Sequence, residues 1–271
     1  MEIKRDRSAD ENLPEIEQSV AQGEIAALYQ DICSTLGVPR VNLIYRYFAT
    51  IEGGLASVWC LLKPHFKSGA FADLVQRNGS LFEADDEHYH LLSSIGPDIE
   101  TRDDISSILD FYLTANPMNL FALEFLAGTA DQATGKNNLD PTPVSIADLR
   151  DQADVASFSD PIEELMFLVS QGARSIRPTL LRELQQWPEF VNAVFPYIKT
   201  RCLDHCFDKH VKRIRCEVKT QTAAIVKPKR LALAPQTNQQ ITEFCSYFPN
   251  ILIRMTLIAA GLRRASRELA P

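Results

Sequence analysis

No glycine-rich phosphate loop of the GxGxxG or GxxxxGK[ST] form occurs in the 271 residues, so the backbone cradles that hold dinucleotides and nucleoside triphosphates are missing. There is no GxSxG elbow, and none of the six cysteines has a sequence context that marks an activated thiolate; the familiar nucleophilic hydrolases are disfavoured. Long apolar runs are lacking as well. The longest, ILIRMTLIAAGL from Ile251 to Leu262, is interrupted by Arg254 and falls short of the roughly 18 to 20 residues that cross a bilayer. No stretch alternates apolar and polar residues between turn signals, so strands are not expected. Basic excess is also missing: a net charge of -7 and a pI near 5.3 argue against nucleic acid as the main partner, because phosphate binding needs a dominant positive footprint. The opening segment MEIKRDRSADENLPEIEQS is too polar for a secretory signal, which makes a cytoplasmic location the expectation. Cys33, Cys60, Cys202, Cys206, Cys216 and Cys245 are then expected to be free and mostly buried thiols, not a disulfide framework.

What is present is an ordinary globular composition, 45% hydrophobic and 23% charged, in a chain long enough to bury a substantial core. It carries a faint internal repeat. VPRVNLIYRYFATIEGGLASVW, from Val38 to Trp59, overlays RSIRPTLLRELQQWPEFVNAVF, from Arg174 to Phe195, at an offset of 136 residues. Arg46 then meets Arg182, Phe48 meets Leu184, Val58 meets Val194 and Lys63 meets Lys199. A second overlay, offset by 133, sets Phe111–Gly128 against Phe244–Gly261. Two blocks in the same order imply a duplicated helical unit, and the seam between two fused copies is a natural place for a pocket. The expected organisation is a flexible N-terminal tail over residues 1–20, repeat one over 21–131, a polar linker over 132–159 and repeat two over 160–271.

Apolar residues at helical spacing predict an all-α fold. The first helix follows Gly23 and ends at Gly37, a C-cap signal, and Pro39 breaks the chain after it. Further helices are expected over Asn42–Ala49, Gly54–Phe66, Ala70–Phe82 and Ile105–Ala130. The last of these should be interrupted at Pro117, whose missing N–H and ring clash stop or bend a helix. In the second half, helices fit Ile162–Gly172, Thr179–Gln186, Pro188–Ile198, Leu203–Ile225 and Ile241–Ser266, with a turn-rich stretch before the last.

Cys202, Cys206 and His210 share approximate helical spacing, but zinc sites usually gather ligands from two separate pieces of chain, so no metal is expected there. The acidic run Glu83–His90 lacks the glycine and ligand order of an EF-hand loop and reads as a solvated linker. The basic stretch Lys209–Lys219 keeps Val211, Ile214 and Val218 at core spacing and reads as a solvated helix face. More informative is Asn116-Pro117 in an apolar helix, with Asn119 close by. It is either a capped joint between helices or a polar point inside an apolar cavity, since an amide both donates and accepts.

The segments LYQDICSTLGVP (Leu28–Pro39) and RYFATIEGGLASVW (Arg46–Trp59), the Asn116-Pro117 pair and the LxxWP pattern of Leu184–Pro188 together resemble the group I, DL-2-haloacid dehalogenase family. This is the all-helical type, which also has a duplicated repeat. The resemblance implies two tandem pseudo-symmetric helical repeats with an apolar pocket between them, no cofactor and no metal, and frequent assembly as a homodimer. It implies hydrolysis of small 2-halocarboxylic acids to 2-hydroxy acids by direct attack of water, with an aspartate and an asparagine activating that water.

On this chain the asparagine falls on Asn116 and a tyrosine of the last helix on Tyr247. A serine–aspartate pair falls on Thr179 and Leu180. An aromatic pocket residue is replaced by Arg40, and a phenylalanine by Leu43. Leu180 cannot accept a proton, so the expected base is missing, and Glu183, one helical turn later, is the substitute. The catalytic set implied is Asn116, Tyr247, Thr179 and Glu183, with Arg40, Leu43 and Leu180 as substrate-binding positions. Arg40 supplies a fixed cation suited to a carboxylate. A lyase, isomerase or cyclase on the same scaffold, and a non-catalytic ligand-binding or assembly protein, stay open beside hydrolysis. The lyase, isomerase or cyclase reading needs one closed cavity holding Asn116, Tyr247 and Arg40.

Overall fold

The computed structural model describes residues 12–83, 99–134, 160–173, 176–225 and 234–268. Its α-helices are α1 (Gly23–Leu36), α2 (Leu43–Phe48), α3 (Gly54–Lys67), α4 (Ala70–Arg77), α5 (Ile99–Thr134), α6 (Pro161–Val169), α7 (Thr179–Leu184), α8 (Pro188–Cys202), α9 (His205–Ala223) and α10 (Pro235–Glu268). A short 3₁₀ turn over Gly79–Phe82 follows α4, and no strand occurs among the described residues. The fold is all-α, as the apolar spacing implied.

Local chemistry explains most helix ends. Gly37 takes a left-handed φ of 66° and returns its N–H to the Cys33 carbonyl, closing α1. Asp160 accepts from the Ile162 N–H with Pro161 in the first turn of α6, and Asp204 accepts from the Cys206 N–H to start α9. That second cap overturns the single face expected for Cys202, Cys206 and His210. Leu203 caps the end of α8 and Asp204 begins α9, leaving Cys202 buried in the first and Cys206 exposed in the second. The expectation of mostly buried thiols also fails. All six cysteines are free, but only Cys202 and Cys245 are buried, while Cys60, Cys206 and Cys216 are exposed.

The centre of the molecule is the pair of long helices α5 and α10, packed against one another, with α9 also on α5. Both are buried on every side in their middles. Leu120 to Leu126 and Ile251 to Ala259 are buried without a break, as expected of helices surrounded by other helices. This burial carries α5 on past Pro117, and α10 past Pro249. The joint expected at Asn116-Pro117 is therefore a mid-helix position. A proline costs an interior helix about 3 kcal/mol, and the surrounding core holds the helix together regardless. Helix α10 has the length and composition of a membrane span, yet 78% of its most apolar window is buried inside the protein, so it is a core helix.

The second half of the core contains paired charges. Arg254, fully buried, donates to Asp208 at 3.0 Å, and Arg215 donates to Glu124 at 2.7 Å. Arg215 thus turns inward from the basic stretch expected to be solvated, while Val211, Ile214 and Val218 occupy the core as their spacing implied. Helices α8 and α10 approach closely at Gly261, where a Cβ would overlap the Tyr197 hydroxyl oxygen and stand 2.7 Å from its ring carbon Cζ. Gly261→Ala is expected to lower stability by about 1–3 kcal/mol, although alanine is the better helix former. Urea unfolding checks this, and an unchanged midpoint would show that Tyr197 moves aside freely.

Residues 12–20 are not loose. Ile16 N–H donates to the Arg46 carbonyl, the Tyr29 hydroxyl donates to the Ile16 carbonyl, and Val41 N–H donates to Gln18 Oε1. These bonds strap the segment across α1 and α2. Residues 1–11, most of the expected linker 132–159 and residues 84–90 of the acidic run lie outside the described residues.

Candidate functional site

A half-open cleft of about 240 Å³ lies where the strap, the start of α2, α5 and α7 meet. Its lining includes Glu17 and Gln18 of the strap, Arg40, Asn42, Leu43 and Arg46 at α2, Phe111 of α5, and Thr179 and Glu183 of α7. Helices α2 and α7 are six residues each, and their residues correspond at the 136-residue offset. The overlaid arginines meet at one carboxylate. Glu15 of the strap sits between Arg46 Nε at 3.1 Å and Arg182 Nη1 at 2.7 Å, all three side chains being at most a quarter exposed.

Glu183 is the centre of the cleft's electrostatics. The Arg40 guanidinium pairs with one carboxylate oxygen, and the Tyr112 hydroxyl donates to the other at 2.9 Å. Thr179 in turn hydrogen-bonds the Tyr112 hydroxyl. Burial raises the Glu183 carboxyl above its usual range despite the opposing pull of Arg40. A carboxylate so placed is a stronger base than one in water. Arg40 lies over the Phe111 ring at 4.4 Å, and its Nε is buried without a hydrogen-bond partner. One face of that guanidinium is thus taken by Glu183 and the ring, and the side chain keeps 40% of its surface exposed at the cleft.

Asn116 lies beneath the cleft, fully buried, one helical turn beyond Tyr112 and so on the same face of α5. Its hydrogen-bond partner is Asn42, whose Nδ2 donates to Asn116 Oδ1 at 3.4 Å. Asn119, one turn further, accepts from the Tyr45 hydroxyl at 2.8 Å.

Of the residues singled out in the sequence, the structure brings Arg40, Leu43, Thr179 and Glu183 together as cleft lining and sets Asn116 just under them. Two fall elsewhere. Leu180 is 1% exposed and points into the core, and Tyr247 packs edge-on against Phe244 at 5.7 Å, outside the cleft lining. Tyr247 is on the α10 face that meets Tyr47, which stacks on the same Phe244 ring, and burial raises its phenol well above the ordinary value. The lining of this cleft therefore includes Arg40 but neither Asn116 nor Tyr247. The sequence reading missed Tyr112, Asn42 and Glu15. Tyr112 had a usable signal, its one-turn spacing from Asn116, and the Arg46–Arg182 match hinted at a shared counter-ion. Nothing local marked Asn42 or Glu15. Among the described residues no group of three or more His, Cys, Asp or Glu side chains is arranged to hold a metal.

No family model matches the sequence, and no curated protein is similar to it. Solved structures are. A D-2-haloacid dehalogenase in complex with L-LA superposes with a TM-score of 0.62 at 17% identity, over 93% of this chain and 95% of the other. A mutant D-2-haloacid dehalogenase with D-2-CPA gives 0.60 at 16% identity, with the same coverage. The chain has the all-helical fold of the haloacid dehalogenases.

Proposed function

We propose that the protein is an enzyme that hydrolyses small 2-halocarboxylic acids to 2-hydroxy acids by direct attack of water. The observation that carries this reading is the mostly buried Glu183 carboxylate in a cleft that also holds the Arg40 guanidinium, on a scaffold whose structural relatives are complexes with lactate and 2-chloropropionate. Arg40 and Arg46 attract the substrate carboxylate, and Leu43 and Phe111 provide apolar wall. A water oxygen attacks C2 from the side opposite the halogen as the carbon–halogen bond breaks. The bonding pair leaves with the halide, and the water's proton passes to Glu183. The configuration at C2 inverts, and no covalent enzyme ester forms. Because Arg40 balances Glu183, the substrate carboxylate enters without facing an unscreened like charge.

The same reading places residues 21–131 and 160–271 as pseudo-symmetric repeats joined by 132–159, in a cytoplasmic enzyme that assembles as a homodimer. The purified protein with each enantiomer of 2-chloropropionate is expected to release chloride, and the Asn116→Ala variant to do so far more slowly. Chloride release no faster than that variant's rules the reading out.

A further inference from the structure

Asn42 precedes α2, at the position where an asparagine normally turns back to accept from the first free N–H groups of its helix. It makes no such bond. Its side chain instead spans from the cleft wall to Asn116, 74 residues along the chain, and is only 6% exposed. The bond between the two amides is long, at 3.4 Å, and it leaves Asn42 Oδ1 and Asn116 Nδ2 buried without partners. Each buried orphan of this kind costs on the order of a hydrogen bond unless something fills it. Exchanging oxygen and nitrogen in both amides does not remove the problem. In either assignment the pair retains one unpaired donor and one unpaired acceptor.

We infer that Asn42 is a second positioning residue for the water that the resemblance assigns to Asn116, so that the two amides together hold one hydroxyl-bearing ligand: the attacking water before reaction and the 2-hydroxyl of the product after it. Only a group that donates and accepts at once satisfies both orphans, which excludes a halide, a carboxylate or an ammonium. The assignment as the attacking water rests on the hydrolytic reading above. In that reading the water gives one proton to the asparagine acceptor and the other towards Glu183. It accepts from the asparagine donor with one lone pair and keeps the second for C2. A lone asparagine leaves such a water free to swing about a single bond; the second amide fixes the direction of the remaining lone pair.

A crystal structure of the unliganded protein at a resolution that shows ordered water is expected to contain one water within hydrogen-bond distance of both amides. Asn42→Leu should lose it and Asn42→Asp should keep it. By calorimetry, lactate should bind on the order of tenfold tighter than propionate, and Asn42→Leu should erase that preference. A dry gap in the wild-type crystal overturns the inference, as does a water retained in Asn42→Leu. If Asn42→Leu does not fold, the wild-type crystal decides alone. Chloride release from 2-chloropropionate with a dry gap sinks this site and leaves the proposed function standing. A bound water without chloride release does the reverse.

Discussion

Glu183→Gln is expected to reduce halide release from 2-chloropropionate by about 10² to 10⁴, the usual cost of removing a general base. The side chain keeps its shape and both of its hydrogen-bond contacts, to Tyr112 and Arg40, can be partly reproduced, so the loss reports basicity and not folding. The pH profile gives a second check. Burial raises the Glu183 carboxyl, so the folded protein favours its protonated form. Activity needs the ionised form, and should therefore fall on the acid side with a midpoint above the ordinary glutamate value of about 4.3. The stability sign is opposite to that of a salt-bridged carboxylate whose value is lowered. Ionising Glu183 costs the native state more than the unfolded one, so its contribution becomes less favourable as pH rises from the unfolded value through the raised folded one. A Glu183→Gln variant with unchanged turnover would remove Glu183 as the base.

Glu15→Gln should lower stability by about 2–4 kcal/mol, because it removes the carboxylate that pairs with both Arg46 and Arg182 and leaves two mostly buried guanidinium groups sharing one site. The strap is fastened chiefly there and at the Ile16 and Gln18 bonds, and it forms one wall of the cleft. Substrate affinity should therefore weaken along with stability. Urea unfolding measures the first effect, and added salt should recover part of it by screening the two arginines. An unfolding midpoint equal to wild type at low salt would show that solvent alone compensates both arginines.

Helix positions were largely legible because their signals are local. Gly37 ended α1, Leu43–Phe48 and Gly54–Lys67 followed from apolar spacing, and Thr179–Leu184 began where expected. The misreadings came where tertiary context overrides a local rule. Pro117 breaks an isolated helix, but α5 lies in the middle of the core and continues through it. Residues 12–20 look like a solvated tail by composition, yet Glu15 finds two arginines from distant helices. Tyr247 and Leu180 carried a resemblance into positions that the packing turns away from the cleft.

The sequence by itself determined the helical class and the punctuation between helices, since periodicity and caps are written within a few tens of residues. It also nominated Glu183 once Leu180 proved unable to act as a base. Only the tertiary structure decided what these residues do. Arg40 and Glu183 are 143 positions apart, Glu15 and Arg182 are 167 apart, and Asn42 reaches Asn116 across 74. A charge or an amide acquires its partner, its desolvation and therefore its chemistry from neighbours that the chain supplies only after it has folded.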